Sequence, residues 1–197
     1  MRDVVLATHN PGKLKEFQLL LHDAPFRLLP YPHPGEIIAE IGTTYLENAR
    51  LKAHEAARQT GRWALADDSG VEVDALGGLP GLISAHFVSN NPWENSREIL
   101  TRLMDVPDSR RTARMRAVLC LASPAGPDIW AEGVLEGVIL GWPKGRSGFG
   151  VDPIFSIDGQ TALAELDPEE KNRLSHRGLA MRELMIKVSS STLWDPR

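Results

Sequence analysis

Cysteine is almost absent from this chain of 197 residues, since Cys120 is the only one. An intrachain disulfide and a cysteine-rich zinc site are therefore excluded. Cys120 lies within the apolar segment 117–121, so we interpret it as a small core residue and not as a nucleophile.

Long apolar runs and an excess of basic residues are also absent. No segment approaches the ~20 apolar residues of a membrane-spanning helix, and the apolar stretch 4–7 is too short for a secretory signal. We therefore expect a cytoplasmic protein with no membrane partner. The net charge is -4, whereas nucleic-acid binders usually carry a basic face, so we expect no nucleic-acid partner.

Three common catalytic patterns are missing. The chain has no Gly-x-Ser-x-Gly elbow, no His-Glu-x-x-His spacing and no Gly-x-Gly-x-x-Gly after a strand. A serine-hydrolase triad, a zinc protease site and a dinucleotide site therefore have no support.

Apolar runs and helical periodicity alternate along the chain and predict an α/β fold. Strands are predicted at 4–7, 63–66, 112–122 and 129–140. Helices are predicted from Pro11, from the capping box Thr44-x-x-Glu47 to near Gly61, from Pro92, from Asp167, and over 179–188. With no linker or repeat, we expect one mixed α/β domain, two-lobed around a cleft.

The turn Thr8-His9-Asn10-Pro11-Gly12-Lys13 joins the first strand to the first helix. Asn10 suits the N-cap position and Pro11 the first helical position. Free backbone N–H groups at a helix start attract phosphate, and Lys13 adds a positive charge. The alternative is a plain turn with a solvated lysine.

Two adjacent acids, Asp67 and Asp68, follow the apolar run 63–66 and precede Ser69 and Gly70. Because neighbouring strand residues point to opposite sides, one carboxylate could bind a metal or activate water while the other braces backbone or a lysine. The alternative is an ordinary acidic turn.

Two later segments could contact a nucleotide. In 145–153, glycines allow close backbone approach, Phe149 offers a stacking face and Asp152 could bind polar base edges. Lys171 and Arg177, about a helical turn and a half apart, could clamp phosphates or hold a base. The alternatives are a β-turn with a core aromatic residue and a solvated helix face.

Taken in order, these segments resemble the inosine triphosphate pyrophosphatase family, the Ham1-like non-standard purine NTP pyrophosphatases. The resemblance runs from Val4 to about Leu184. Its most specific stretches are Thr8 to Lys13, Glu47-Asn48-Ala49-x-x-Lys52-Ala53, Ala66 to Ser84, Phe149-Gly150-x-Asp152-Pro153-Ile154-Phe155 and Ser175-His176-Arg177-Gly178.

The resemblance implies an elongated mixed β-sheet flanked by helices, with two lobes and a central cleft, as a single domain over residues 1–197. It also implies a Mg²⁺-dependent homodimer that hydrolyses ITP, dITP and XTP to the monophosphate and pyrophosphate. Two alternatives stay open: a related pyrophosphatase for modified pyrimidine or methylated nucleotides, such as the Maf proteins, and a nucleotide-binding regulator without catalysis.

The resemblance also implies roles for particular residues. Thr8 to Lys13 would hold the triphosphate, with Lys52 adding positive charge. Glu40 and Asp68 would bind Mg²⁺, Asp68 would be the general base, and Ser69 would contact substrate. The residues expected around the nucleoside are Phe149, Gly150, Val151, Asp152, Lys171, His176 and Arg177. The chain departs from the family pattern at Val151, where tyrosine is usual, and at His86, where arginine is common.

Overall fold

The computed structural model describes residues 2–22, 24–32 and 38–194, and these contain six β-strands and five α-helices. The strands are β1 (Arg2–Leu6), β2 (Phe26–Pro30), β3 (Trp63–Val73), β4 (Thr112–Ala122), β5 (Asp128–Ile139) and β6 (Phe155–Ser156). The helices are α1 (Pro11–Leu20), α2 (Tyr45–Thr60), α3 (Pro92–Arg102), α4 (Pro168–Leu174) and α5 (His176–Ser190).

The strands form one sheet in the order β2-β1-β3-β4-β5-β6. Strand β1 pairs parallel with both β2 and β3, whereas β5 and β6 are antiparallel. The prediction of a mixed sheet in an α/β fold is therefore confirmed. None of the helices in the described ranges has the length and hydrophobicity needed to cross a membrane.

Residue contacts divide the chain into two compact units. Unit 1 comprises the described residues of Met1–Asp68, Ala117–Gly133 and Arg177–Arg197, and unit 2 those of Ser69–Arg116 and Val134–His176. Each unit has its own apolar core: Phe17, Leu65 and Leu119 are buried in unit 1, and Ile99, Ile154 and Phe155 in unit 2. Cys120 is buried, as predicted. The single two-lobed domain stays a prediction.

The helix starts follow the capping residues identified in the sequence. Asn10 caps α1, Asn91 caps α3 and Asp167 caps α4, each followed by a proline. At α2, Thr44 Oγ1 accepts a hydrogen bond from the Glu47 amide at 3.1 Å. These side chains satisfy backbone donors that a helix start would otherwise leave unpaired.

Strand β3 is longer than predicted, and the helical spacing assumed between Lys171 and Arg177 is interrupted. Residues Asp67 to Gly70 do not form an acidic turn, because β3 continues through them to Val73. The strand continues because Val71 and Val73 are both buried in the core of unit 2. Lys171 and Arg177 do not share a helix, because Ser175 has an extended backbone (φ -64°, ψ 157°) and separates α4 from α5.

Candidate active site

The adjacent acids of β3 lie where parallel pairing stops. The pairing of β1 with β3 ends at Leu6 and Leu65, and one more backbone bond joins the Ala7 amide to the Leu65 carbonyl at 2.8 Å. Asp67 and Asp68 follow directly, at the carboxyl end of the paired segment. Ligands of α/β sheets bind at such ends.

Asp68 belongs to a cluster that also contains Glu40 and Lys52. Lys52 Nζ lies 3.0 Å from Asp68 Oδ1 and 2.5 Å from Glu40 Oε1. Burial raises the pKa of Asp68 above its ordinary value, Lys52 opposes this shift, and Glu40 adds to it. Burial also opposes the charge of Lys52, but Asp68 and Glu40 outweigh it and raise the lysine pKa. Two carboxylates therefore share one ammonium group.

Helix α2 brings Lys52 to this cluster. Asn48 and Lys52 are four residues apart, so they lie on the same face of the helix, and both are buried. Ala49, Ala53 and Ala56 are also fully buried, which lets α2 pack closely against its neighbours. These small residues thus help to place a lysine next to the acid of β3.

Asp67 belongs to a separate and largely buried group of charges. Its Oδ2 atom lies 2.5 Å from Lys13 Nζ and 3.3 Å from Arg177 Nε. Arg177 Nη1 also lies 3.0 Å from Glu16 Oε2. Burial opposes the ionised form of Asp67, but Lys13 and Arg177 outweigh this and hold its pKa well below the ordinary value. The prediction that one acid braces a lysine is confirmed.

The turn before α1 differs in one respect from the predicted phosphate site. Two of its backbone N–H groups are not free, because Asn10 Oδ1 accepts from Gly12 N at 2.9 Å and from Lys13 N at 3.2 Å. Asn10 N donates to Thr8 Oγ1 at 3.2 Å. The turn is thus held by its own polar side chains, with His9 against the Tyr31 ring at 5.5 Å.

In unit 2, the segment after β5 forms a second group of predicted residues. Asp152 Oδ2 accepts from Phe149 N at 2.6 Å and lies 2.6 Å from Lys171 Nζ. Lys171 Nζ is also 5.1 Å from the centre of the Phe149 ring. Gly148 (φ 75°) must be glycine, because a Cβ there would lie 2.3 Å from Asp152 Oδ2.

The remaining predicted residues divide between the units. Val151 packs against the apolar core of unit 2, Gly150 has a left-handed backbone (φ 62°), and Ser69 is half-buried in β3. His176, at the start of α5, is 2% exposed. Unit 1 brings together Lys13, Glu40, Lys52, Asp67, Asp68 and Arg177, and unit 2 brings together Phe149, Asp152 and Lys171.

Comparison with known protein families gives a match over nearly the whole chain. A family model described as the Ham1 family matches residues 4–187. The chain belongs to the Ham1 family.

Related proteins match along nearly their whole length. The chain is 45% identical over 186 residues to the dITP/XTP pyrophosphatase of Symbiobacterium thermophilum, covering 94% of each chain. It is 46% identical to the protein of that name from Desulforamulus reducens, covering 92% of this chain and 93% of the relative. A Ham1 structure from Coxiella burnetii is 40% identical, with a TM-score of 0.85 and coverage of 97% and 100%.

In these clusters, sequence reasoning missed Glu16 and assigned no role to Asn48. Glu16 pairs with Arg177, which is 161 residues away, and no local pattern marks that pairing. Asn48 Nδ2 donates to Asp68 Oδ2 at 3.2 Å. His86, the other departure from the family pattern, is exposed, with Nδ1 2.7 Å from Asn90 Oδ1.

A further group of possible metal ligands lies elsewhere in unit 1. His54, Cys120 and Asp128 offer ligand atoms within 4.8 Å of one another. Arg50 already binds both oxygens of Asp128, at 3.1 and 3.2 Å, and burial raises the pKa of Cys120 to about 12. A neutral thiol beside a guanidinium group is a poor cation site, so we interpret this group as a structural ion-pair network.

Proposed function

We propose that this chain hydrolyses non-standard purine nucleoside triphosphates, dITP, ITP and XTP, to the monophosphate and pyrophosphate, and so clears deaminated purines from the nucleotide pool. The observation that carries the proposal is the cluster in which Glu40 and Asp68 meet Lys52. The names of relatives more than 40% identical over nearly the full chain support the substrate class.

The donor set of this cluster fits Mg²⁺. Mg²⁺ in phosphate-transfer sites is held by one or two carboxylates and completes its shell with water and substrate oxygens. Glu40 and Asp68 supply two carboxylates, with side chains 40% and 5% exposed respectively. One ligand is therefore anchored while the other faces solvent. When bound, Mg²⁺ would offset negative charge on the phosphates and help to orient water.

Asp68 is the proposed general base. Attack of water at the α-phosphorus breaks the α–β bridging bond, so pyrophosphate leaves and the water proton passes to the Asp68 carboxylate. Lys52 and Asn48 hold that carboxylate through different oxygens, which limits its rotation. Burial raises the pKa of Asp68, and a raised pKa makes a carboxylate a better proton acceptor near neutral pH.

Three cations are proposed to hold the phosphates. Lys13 and Arg177 form ion pairs with Asp67, and Lys52 forms one with Asp68. Two neighbouring acids of strand β3 therefore position all three cations. Charges fixed by buried partners need little reorganisation when substrate charge develops, which is the condition for strong electrostatic catalysis.

The nucleoside is proposed to contact the group around Phe149. Asp152 and Lys171 hold the Phe149 loop in place, leaving an aromatic ring as a stacking surface. Backbone N–H donors facing a 6-oxo purine would disfavour adenine, whose 6-amino group is itself a donor. Ser69 and His176 are proposed to contribute further contacts to the substrate.

We also propose that the enzyme acts as a homodimer in the cytoplasm. Exposed apolar side chains in the segment from Leu79 to the start of helix α3 support the dimer, namely Leu79, Ile83, Val88 and Trp93. Large apolar side chains at a surface commonly mark an interface. Sedimentation of the purified protein at micromolar concentration measures this directly.

The test is incubation with ITP and Mg²⁺ followed by identification of the released anion. Pyrophosphate is expected, whereas orthophosphate would contradict the proposal. Asp68→Asn should lower kcat by about 10²- to 10⁴-fold, because a positioned base contributes about that much. Glu72→Gln, on the same strand but paired with Arg116, serves as the matched control and should keep wild-type turnover.

A substrate panel separates the alternative pyrimidine activity. Higher kcat/KM for dITP and XTP than for dTTP and UTP is expected. The reverse order would favour the Maf-like function, and tight binding of all four nucleotides without hydrolysis would favour a regulator.

A further inference from the structure

Asn48 contacts one carboxylate of the proposed metal site and the loop that carries the other. It is 3% exposed and stands one helical turn before Lys52 on α2. Its Nδ2 atom donates to Asp68 Oδ2 at 3.2 Å, and its Oδ1 atom accepts from the Gly42 amide at 2.8 Å. The side-chain amide of Asn48 therefore donates one hydrogen bond to Asp68 and accepts another from Gly42.

The contact with Gly42 fixes the loop that carries Glu40. Glu40 is two residues before Gly42, and a Cβ at position 42 would lie 2.6 Å from Glu47 Cβ and 2.7 Å from Asn48 Oδ1. Only glycine lets the backbone come this close. Glu47 Oε2 holds the next residue, accepting from Thr43 N at 2.6 Å. The loop is thus anchored to the first two turns of α2.

The contact with Asp68 sets the orientation of its carboxylate. Lys52 takes Oδ1 and Asn48 takes Oδ2, so the plane of the group is defined by two donors from α2. A carboxylate oxygen has two lone pairs, so each oxygen can still bind a cation.

We infer that Asn48 is a positioning residue that sets the separation and orientation of Glu40 and Asp68 for the divalent cation. The inference rests on the proposed metal site and adds to it the residue that assembles it. A neutral amide suits this role because a carboxylate could not donate to Asp68, and a lysine could not accept from Gly42. Partners of this kind typically contribute 10- to 100-fold to metal affinity.

The experiment measures Mn²⁺ binding to the full chain without nucleotide, from the signal of free Mn²⁺ in electron paramagnetic resonance. Asn48→Ala should weaken binding by about 10- to 100-fold. Gly42→Ala keeps the side-chain amide of Asn48 but displaces the loop that carries Glu40. This variant should also weaken Mn²⁺ binding. Because both changes break one shared contact, the double variant should lose less than the product of the two single effects.

Asn95→Ala is the matched control. Asn95 is also 3% exposed and also bridges backbone groups, accepting from Val88 N and donating to Ala85 O, but it lies in unit 2. Its variant should lose stability and keep wild-type Mn²⁺ affinity. Circular dichroism and urea unfolding establish that each variant is folded.

Enzyme kinetics adds a readout that a general loss of structure would not give. With dITP as substrate, excess Mg²⁺ should restore most of kcat in Asn48→Ala, since both ligands are still present. Wild-type Mn²⁺ affinity in folded Asn48→Ala would overturn the inference. So would a double variant, Asn48→Ala with Gly42→Ala, whose loss of Mn²⁺ affinity equals the product of the two single losses. If Glu40→Gln also left Mn²⁺ binding unchanged, the proposed metal site itself would be wrong.

Discussion

At the scale of single residues, Lys52 determines the electrostatics of the site. Its ammonium group lies within 3.0 Å of an oxygen of both Glu40 and Asp68, and its side chain is 10% exposed. Its single positive charge lowers the repulsion between the two carboxylates but offsets only one of their two negative charges. A divalent cation bound by the same carboxylates must share them with this positive charge.

Lys52→Met therefore has opposite expected effects on metal binding and on turnover. Without nucleotide, Mn²⁺ should bind about tenfold more tightly, because the like charge of the lysine next to the cation is removed. The kcat for dITP should fall, because the phosphates lose a cation. Titration with Mn²⁺ and steady-state kinetics measure the two effects, with exposed Lys187→Met as control. Weaker Mn²⁺ binding in Lys52→Met would contradict this account.

At the scale of elements, the start of α1 both ends a turn and positions a cation. Asn10 caps the helix through Gly12 and Lys13, and Lys13 reaches Asp67 on β3. The start of α3 has the same design, with Asn91 capping through the Trp93 amide before a proline, but lies far along the chain from these charges. Comparing the two caps therefore distinguishes an effect on helix stability, which both share, from an effect on substrate binding, which only Asn10 should have.

Asn10→Ala and Asn91→Ala should each lower the free energy of unfolding by about 1 kcal/mol, the usual contribution of an N-cap. Only Asn10→Ala should raise KM for dITP, because it loosens the turn proposed to hold the phosphates. Urea unfolding and steady-state kinetics give both quantities. An equal change in KM for the two variants would argue against the phosphate site at this turn.

At the scale of the whole molecule, the buried charges of unit 1 link its elements. Asp67 of β3, Lys13 and Glu16 of α1 and Arg177 of α5 form one chain of ion pairs. Buried pairs contribute little net stability, but removal of one partner leaves an uncompensated charge and typically costs 3–5 kcal/mol. The group therefore makes the stability of the molecule sensitive to pH.

The sign follows from the pKa of Asp67, which lies below its ordinary value of 3.8 in the folded protein. The stabilisation is complete above that ordinary value and is lost as pH falls toward the folded pKa, since the unfolded chain takes up the proton first. The urea midpoint should therefore fall between about pH 4 and pH 2.

Asp67→Asn should have a lower urea midpoint at neutral pH and a flatter acid dependence than the wild-type protein. Asp3→Asn is the control, because the Asp3–Arg27 pair is exposed to solvent and its loss should change the curve little. Parallel curves for Asp67→Asn and the wild-type protein would show that Asp67 does not carry the effect.

Much of the fold could be predicted from local patterns. The starts of α1, α2 and α3 depend on side chains that bond to backbone two or three residues away, and Asn10, Thr44 and Asn91 are read directly from the chain. The length of β3 could not be predicted, because polar residues 67–70 resemble a turn and only the burial of Val71 and Val73 in unit 2 keeps the strand extended.

The candidate site also has a part that could be predicted from the sequence and a part that could not. Lys13, Asp67 and Asp68 stand out in the sequence because charged groups beside apolar strands and helix starts require a partner or a function. Lys52 is implied only by the resemblance to the family. Which cation meets which acid was not predictable, since Lys13 pairs with Asp67 and Lys52 with Asp68 across separations of 54 and 16 residues. Glu16 was missed because nothing local marks its pairing with Arg177.

By itself, the amino-acid sequence determined the fold class, the helix starts and the residue types of the site, because hydrophobic periodicity and capping act over a few neighbouring positions. The tertiary structure alone decided the pairing of charges and the position of Asn48 between Gly42 and Asp68. These contacts join segments distant in the chain, and they form only when packing of α2 and β3 brings the segments together.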